Sequence, residues 1–568
     1  MRVPSWILLL APALGACTGY VGEGGPDGAN PGAGSVHTGG SASTVPTADP
    51  DGTASEDATV GRSPLRRLGK LELSRTLRDL LPSLPEGFDP SADVPIDNEI
   101  QLAFSLPGTV SDLEVKRFMD MAEAALSALG DAAPGNQFAC AGADETSCAR
   151  AFIESFGKRA FRRPLEGVEV DDLIALYDEL RTDPEMAYGF VPALGVVSEA
   201  ILQSPGFLYR WERGLKAPQL DGDVVKFDGY EIASRLSYYI WNSMPDDALL
   251  AEADAGTLGT PDQIAAQARR LLGEARADGA LGDFITQWLE LGTLPSLIKD
   301  ANVYPEFSVE LRSSMLAETL AFSKDVLRGS TPTFTSLLTA GYSFVDAPLA
   351  AYYGLVPDAS GRVDLDGSGR LGLLTQAAVM AVKGNSYRTS PVRRGKFILN
   401  RLICFNVPPP PPNVVTELPP PDPNLTLREQ MAAHRDNPTC AGCHKSMDSL
   451  GFAFEHFDGA GKYRETDGAH AIDASGSFTL DDVATSFSNA SDLAWALAAS
   501  PEAQACFARQ WLRYAIDRFE QDADQAASDY LASAYSESGL DTRQLIVEIT
   551  RTLPFSHRAP ADDEVLTP

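Results

Sequence analysis

Cys440-Ala441-Gly442-Cys443-His444 is the stretch whose residue types and spacing carry chemistry. Two cysteines two residues apart, followed at once by histidine, form the attachment pattern of c-type haem. The thiols of Cys440 and Cys443 would make thioethers to the porphyrin vinyl groups. His444 would then lie under the iron as its proximal ligand. The pattern is short, so its surroundings must supply weight. The same three side chains also suit a zinc ion, and at the level of the motif both metals stay open.

The chain has six histidines, and four fall between 434 and 470. A sixth iron ligand must come from the opposite face of the ring, or the position is open. Met447 fails on reach: it follows His444 by three residues, and at roughly 3.3–3.6 Å per residue the chain cannot round a porphyrin edge. It is also the last methionine, so no downstream methionine can serve, and packing is its expected role. His434 precedes Cys440 by six residues, about 20 Å of extended chain, and is the foremost candidate for distal ligand or distal-pocket residue. His456 is the next candidate, and His470 and Met431 are weaker ones. The aromatic run around Phe452, Phe454 and Phe457 would wall an apolar pocket or pack a core. Lys462 and Arg464 could pair with haem propionates or face solvent.

Compartment bears on the motif, because c-type haem is attached outside the cytoplasm. Arg2 and the apolar run Trp6 to Leu14 read as a secretory leader, too short to span a bilayer. Leu14-Gly15-Ala16-Cys17 resembles a bacterial lipobox, with cleavage before Cys17 and lipid on that cysteine; ordinary secretion is the alternative. Thr18 is not the aspartate of inner-membrane retention, so an outer-membrane lipoprotein with a periplasmic body is expected, surface exposure remaining open. Export permits disulfides, and the seven cysteines divide without remainder. Cys17 takes lipid and Cys440 and Cys443 take haem. Cys140 and Cys148 can close a short loop. Cys404 and Cys506 pair by elimination, with a free thiol at each as the alternative.

A net charge of −32 argues against a nucleic-acid partner. Residues 18–62 are a Gly, Ser, Thr and Pro-rich tether without apolar periodicity. Amphipathic helices are expected over 65–81, 113–129, 149–162 and 168–180, then 230–241, from 248, 262–274, 280–291, 307–328 and 345–353. Asp246 and Asp247 diverge as neighbours on a helix and suit an N-terminal cap better than paired catalysis. Strand signals are few. Neither a phosphate-binding glycine loop nor HExxH is present, and Gly367-Ser368-Gly369 lacks the offsets of a nucleophile elbow. Pro408 to Pro412, with Pro419 to Pro421 and Pro423, must be a stiff extended strap. Thr426-Leu427-Arg428-Glu429 has the capping-box pattern, starting a helix expected to run to Arg435 and stop before Asn437-Pro438.

Several long motifs together resemble one group of proteins. Arg394-Gly395-Lys396, the proline strap, His434 to Pro438, the CxxCH and Met447-Asp448 through Asp458 form one set. Phe156 to Leu165, Ala233 to Asp247 and Arg509 to Arg518 form others, with Arg67-Leu68 and Thr76 to Leu81 a weaker one. The chain resembles exported multi-domain bacterial cytochrome-c-like proteins built from domains of unknown function 1587, 1595, 1592, 1588 and 1585. Ser449 departs from the proline usual in that group. The helical periods and few strand signals predict a mainly α fold, and the resemblance implies a multi-domain helical protein with a short cytochrome-c-like haem segment after the polyproline strap. It divides the chain into a leader (1–17), the tether (18–62), helical domains at 63–132, 138–210 and 221–355, a haem-motif domain at 365–470 and a C-terminal helical domain at 484–556. It carries over no reaction.

The expectation is therefore one covalent haem c in a lipid-anchored envelope protein, serving electron transfer or haem-dependent oxidation with an unidentified redox partner. An enzyme of peroxidase type would need a distal acid–base group, a part open to His434. The alternative is a non-redox binding or scaffold protein of the envelope, with haem or zinc as a structural staple.

Overall fold

The computed structural model describes residues 59–95, 110–138, 144–184, 187–214, 220–221, 224–409, 422, 424–432, 438–561 and 564. The expected leader, most of the tether, Cys17, Cys140, His434 and most of the proline strap lie outside the described residues.

Helices dominate, and the strands form only small antiparallel sheets of two or three. The chain is mainly α, as its periodicity predicts. Most expected helices appear within a few residues, including Asp112–Leu129, Gly167–Thr182, Gly229–Trp241 and Val309–Arg328. Asp246 caps the helix Asp247–Asp254 by accepting from the Leu249 amide at 2.8 Å. Among the described residues no helix is long and apolar enough to cross a membrane.

The first helix differs from its expected span. It runs Lys70–Leu80, while Arg66–Arg67 pair as a short strand with Tyr209–Arg210. Tertiary charge explains the difference. Arg66 is buried and reaches Asp517 at 2.9 Å, and Arg210 binds the same carboxylate. Local apolar spacing cannot register a partner 451 residues away.

Two large hydrophobic cores form among the described residues. One collects residues 68 to 208, with Tyr238 and Met244 inserted from the next segment. The larger joins residues 227 to 555. At its centre Phe284, on the helix Ala277–Trp288, stacks on Trp511, on the helix Pro501–Ile516, with ring centroids 3.5 Å apart and planes 11° from parallel. Such aromatics stabilise by ~2–3 kcal/mol each through area alone. The larger core thus binds the middle of the chain to its C-terminus and carries the site segment on it.

A buried ion pair adds a second tie. Arg235 holds Glu212 through Nε at 3.0 Å and Nη2 at 2.6 Å, and donates to the carbonyls of Pro554 and Phe555. Burial works most strongly against the Glu212 charge, but Arg235, Arg210 and Ser63 together outweigh it and hold the carboxyl down at about 2. A carboxylate depressed in the folded state stabilises above its ordinary value near 4.5 and loses that contribution as pH falls toward 2. The contribution is on the order of 3 kcal/mol. Glu212→Gln is therefore expected to weaken the protein at neutral pH and flatten its stability change over that acid range. Denaturant midpoints measured across the range check this; an unchanged slope would overturn it.

Candidate functional site

The CxxCH segment is helical. A helix runs Pro438–Phe452, with positions 440 and 443 one turn apart and His444 following. Pro438 stands at the first helical position, where a missing N–H costs nothing.

Three neighbours hold this helix. The first is the helix Pro391–Phe397, started by proline after the cap Ser390. The two cross with backbones almost touching. A Cβ on Gly395 would lie 1.7 Å from the Met447 carbonyl oxygen, and one on Gly451 would lie 1.9 Å from that of Pro391. Only hydrogen fits at either position.

The second neighbour is the hairpin Gly476–Leu480 and Val483–Phe487. Ser449 Oγ donates to the Ser477 carbonyl at 2.7 Å and accepts from its amide at 2.9 Å. Proline at 449 could make neither bond, so serine there ties the helix to the hairpin.

The third is the helix Leu427–Gln430, started by the expected Thr426 capping box. Leu427, Met431 and Phe452 form a small apolar cluster with Val392 beside it. Arg428 lies 4.2 Å over the Phe452 ring and donates to the carbonyls of Asp473 and Ser475. The expected extension to Arg435 passes outside the described residues after Ala432.

After Phe452 the chain turns through a loop pinned by buried cations. Arg394, whose side chain is fully buried, donates to the carbonyls of Phe454 at 2.7 Å, Phe457 at 2.8 Å and Asp458 at 2.7 Å. Burial pulls its guanidinium down to about 10, opposed by Glu455. The Glu455 carboxyl is pushed up by burial, against the pull of Arg394 and Arg464. Arg370 donates to the Gly461 carbonyl at 2.7 Å, and Tyr352 to that of Ala460.

The helix Pro391–Phe397 continues into a π-helical turn, Ile398–Leu402. Such turns free backbone groups from the regular ladder. Trp288 Nε1 and Gln510 Nε2 donate to the Arg401 carbonyl, and Gln510 also reaches that of Asn400. Cys404 and Cys506 are disulfide-bonded, with Cα atoms 5.4 Å apart. Cys148 is also disulfide-bonded, and its expected partner Cys140 is outside the described residues.

Within this frame His444 Nδ1 lies 3.0 Å from Asp448 Oδ1, one turn further along the helix. The Asp448 side chain is fully buried, and its Oδ2 has no hydrogen-bond partner among the described residues. A carboxylate only accepts, so the Nδ1 proton points at Asp448, and in a neutral ring the lone pair then lies on Nε2. This is the tautomer a metal-ligating histidine takes when a second carboxylate orients it.

The other expected residues are placed as follows. Met447 is buried. His456 is engaged locally: Nδ1 meets the Arg464 carbonyl at 2.9 Å and the ring stacks on Tyr463. His470 lies on the short strand His470–Ala471. Arg464 reaches Asp467 at 2.6 Å and Glu455 at 3.3 Å, and Lys462 reaches Glu306 at 2.8 Å. Sequence reading missed Asp448 as the histidine's partner and Arg394 as the loop's anchor. An i, i+4 His/Asp pair was a signal for the first once residues 444–448 are taken as helix; nothing local marks the second.

Four segments of the chain match family models in sequence order, each described as a protein of unknown function: DUF1595 over residues 148–212, DUF1592 over 227–355, DUF1588 over 370–467 and DUF1585 over 484–555. The third contains Arg394, Gly395, the CxxCH and Asp448. A match to the expected family 1587 was not found. No curated protein matches the chain, and no solved structure does.

Proposed function

We propose that the protein is an exported c-type haem protein of the cell envelope, working in electron transfer or haem-dependent oxidation. The observation that supports this most is the Asp448-oriented His444 on the clamped CxxCH helix. The donor set fits the group: two cysteine positions one turn apart, a histidine with its lone pair on Nε2, and apolar side chains at Val392, Leu427, Met431 and Phe452 packed along the same helix. Cys440 and Cys443 would hold the haem covalently and His444 would bind its iron. A bound haem supplies a reversible one-electron couple. The clamped helix keeps the His444 ring from reorienting, and Asp448 keeps the Nδ1 proton in place. His434 remains the candidate for the sixth position, with His456 behind it. Lipid on Cys17 and an outer-membrane, periplasm-facing body belong to the same reading.

Full-length protein matured with a c-haem assembly system is expected to carry one covalent haem that survives denaturation, and Cys440→Ala with Cys443→Ala to carry none. Parent protein without covalent haem overturns the reading and favours the zinc or scaffold alternative. A low-spin ferric spectrum that becomes high-spin in His434→Ala supports His434 as the sixth ligand. A high-spin parent spectrum removes that assignment and favours catalysis at an open position.

A further inference from the structure

We infer that Asp448 is the positioning residue that sets the redox poise of this site, holding the haem toward its ferric state. The inference rests on the proposed haem reading and deepens it.

A buried carboxylate without compensation is costly, and one taken into the fold needs a partner. Asp448 is fully buried, its Oδ2 is unpartnered, and among the described residues its only hydrogen bond goes to His444 Nδ1. Arg394, a buried cation of the same segment, is committed to three carbonyls and to Glu455. The negative charge of Asp448 is therefore directed at one ring.

That geometry has two consequences. A carboxylate on Nδ1 fixes the tautomer, so the lone pair is on Nε2 before any metal arrives. It also draws the Nδ1 proton toward oxygen, which gives the ring imidazolate character and makes Nε2 a stronger donor. Stronger donation and a nearby negative charge both favour the higher iron charge, so ferric haem is stabilised over ferrous. Hydrogen bonding around the ligand is among the levers by which a protein moves a haem potential.

The arrangement is rigid enough to do this. Both residues are on one helix, one turn apart, so their separation is set by helical geometry. The helix is in turn fixed by the Gly395–Gly451 crossing and the Ser449–Ser477 bonds. The site is thus built to give electrons up readily and to hold an oxidised iron, which suits a donor in electron transfer or a site that reaches oxidised intermediates better than a terminal acceptor.

The test uses the full chain with covalent haem. Asp448→Asn keeps the shape and an oxygen for Nδ1 while removing the charge. It is expected to move the ferric-to-ferrous ratio at fixed poise about tenfold toward ferrous, about 59 mV for a one-electron couple, with haem content unchanged. A potential equal to the parent's overturns the inference while leaving the haem reading intact. A parent chain without covalent haem defeats the reading itself and the redox inference with it. If a variant loses its haem through misfolding, selective nitrogen-15 labelling of the histidines in the unloaded parent and Asp448→Ala chains replaces the potential. There His444 is expected in the Nδ1–H form in the parent and in a tautomer mixture in Asp448→Ala. Identical tautomers in parent and Asp448→Ala would overturn the positioning role.

Discussion

Gly395→Ala is expected to unlock the helix that carries His444. Alanine is ordinarily the better helix former, by up to about 1 kcal/mol, so propensity alone predicts a gain. Contact geometry reverses the sign. The added methyl would stand 1.7 Å from the Met447 carbonyl oxygen, and the opposed backbone has no soft side chain to yield. The helices must separate by more than an ångström, which opens the contact along their length. Overpacking of this kind costs ~3 kcal/mol or more where backbone meets backbone. Gly451→Ala should do the same from the other side, because its methyl would meet Pro391. Hydrogen exchange in residues 438–452 is the direct readout, since a chain with two cores need not melt in one step. Exchange as slow as in the parent would show that the crossing is looser than its geometry states. On the proposed haem reading, reduced haem incorporation should accompany faster exchange.

Arg394→Met is expected to cost a further ~3–5 kcal/mol in the same region, the range for breaking a buried pair from one side. Three carbonyls of the 454–458 loop lose their donor and Glu455 loses one of its two cations, Arg464 at 3.3 Å being the other. Arg394→Lys should recover only part of the loss, because an ammonium cannot spread its donors as a guanidinium does. Adding Glu455→Gln to Arg394→Met should return some stability by removing a buried carboxylate left with Arg464 as its one cation, and a double-mutant cycle measures that coupling. Strict additivity would mean that the pair, at 3.6 Å, does not interact. A loss below about 1 kcal/mol for Arg394→Met would overturn the anchoring role.

These two neighbours, Arg394 and Gly395, show where sequence reading reaches its limit. Their tripeptide was visible as a motif of the resembling group, but its purpose was not. One residue supplies the donors for a loop about sixty positions away, and the other is absent as a side chain so that a helix about fifty positions away can approach. Both are facts of contact at long sequence separation, and neither has a local signature. Proline both ends and begins helices, and that Pro438 begins one is decided by the packing of residues 438–452.

Residue type and period determined the helical class of the chain, the span of most helices, the caps at Asp246 and Thr426 and the position of the CxxCH. These depend on interactions within a turn or two of chain, which the order of residues specifies directly. Tertiary structure decided that Arg66 and Arg67 form a strand, that the carboxylate of Asp448 is buried against His444, that Ser449 bonds a hairpin and that Glu212 keeps its charge through Arg235. Each of these depends on what solvent has been removed and which distant group has been brought close. Burial turns an ordinary acid, arginine or glycine into a determinant of the site, and burial exists only once the chain has folded.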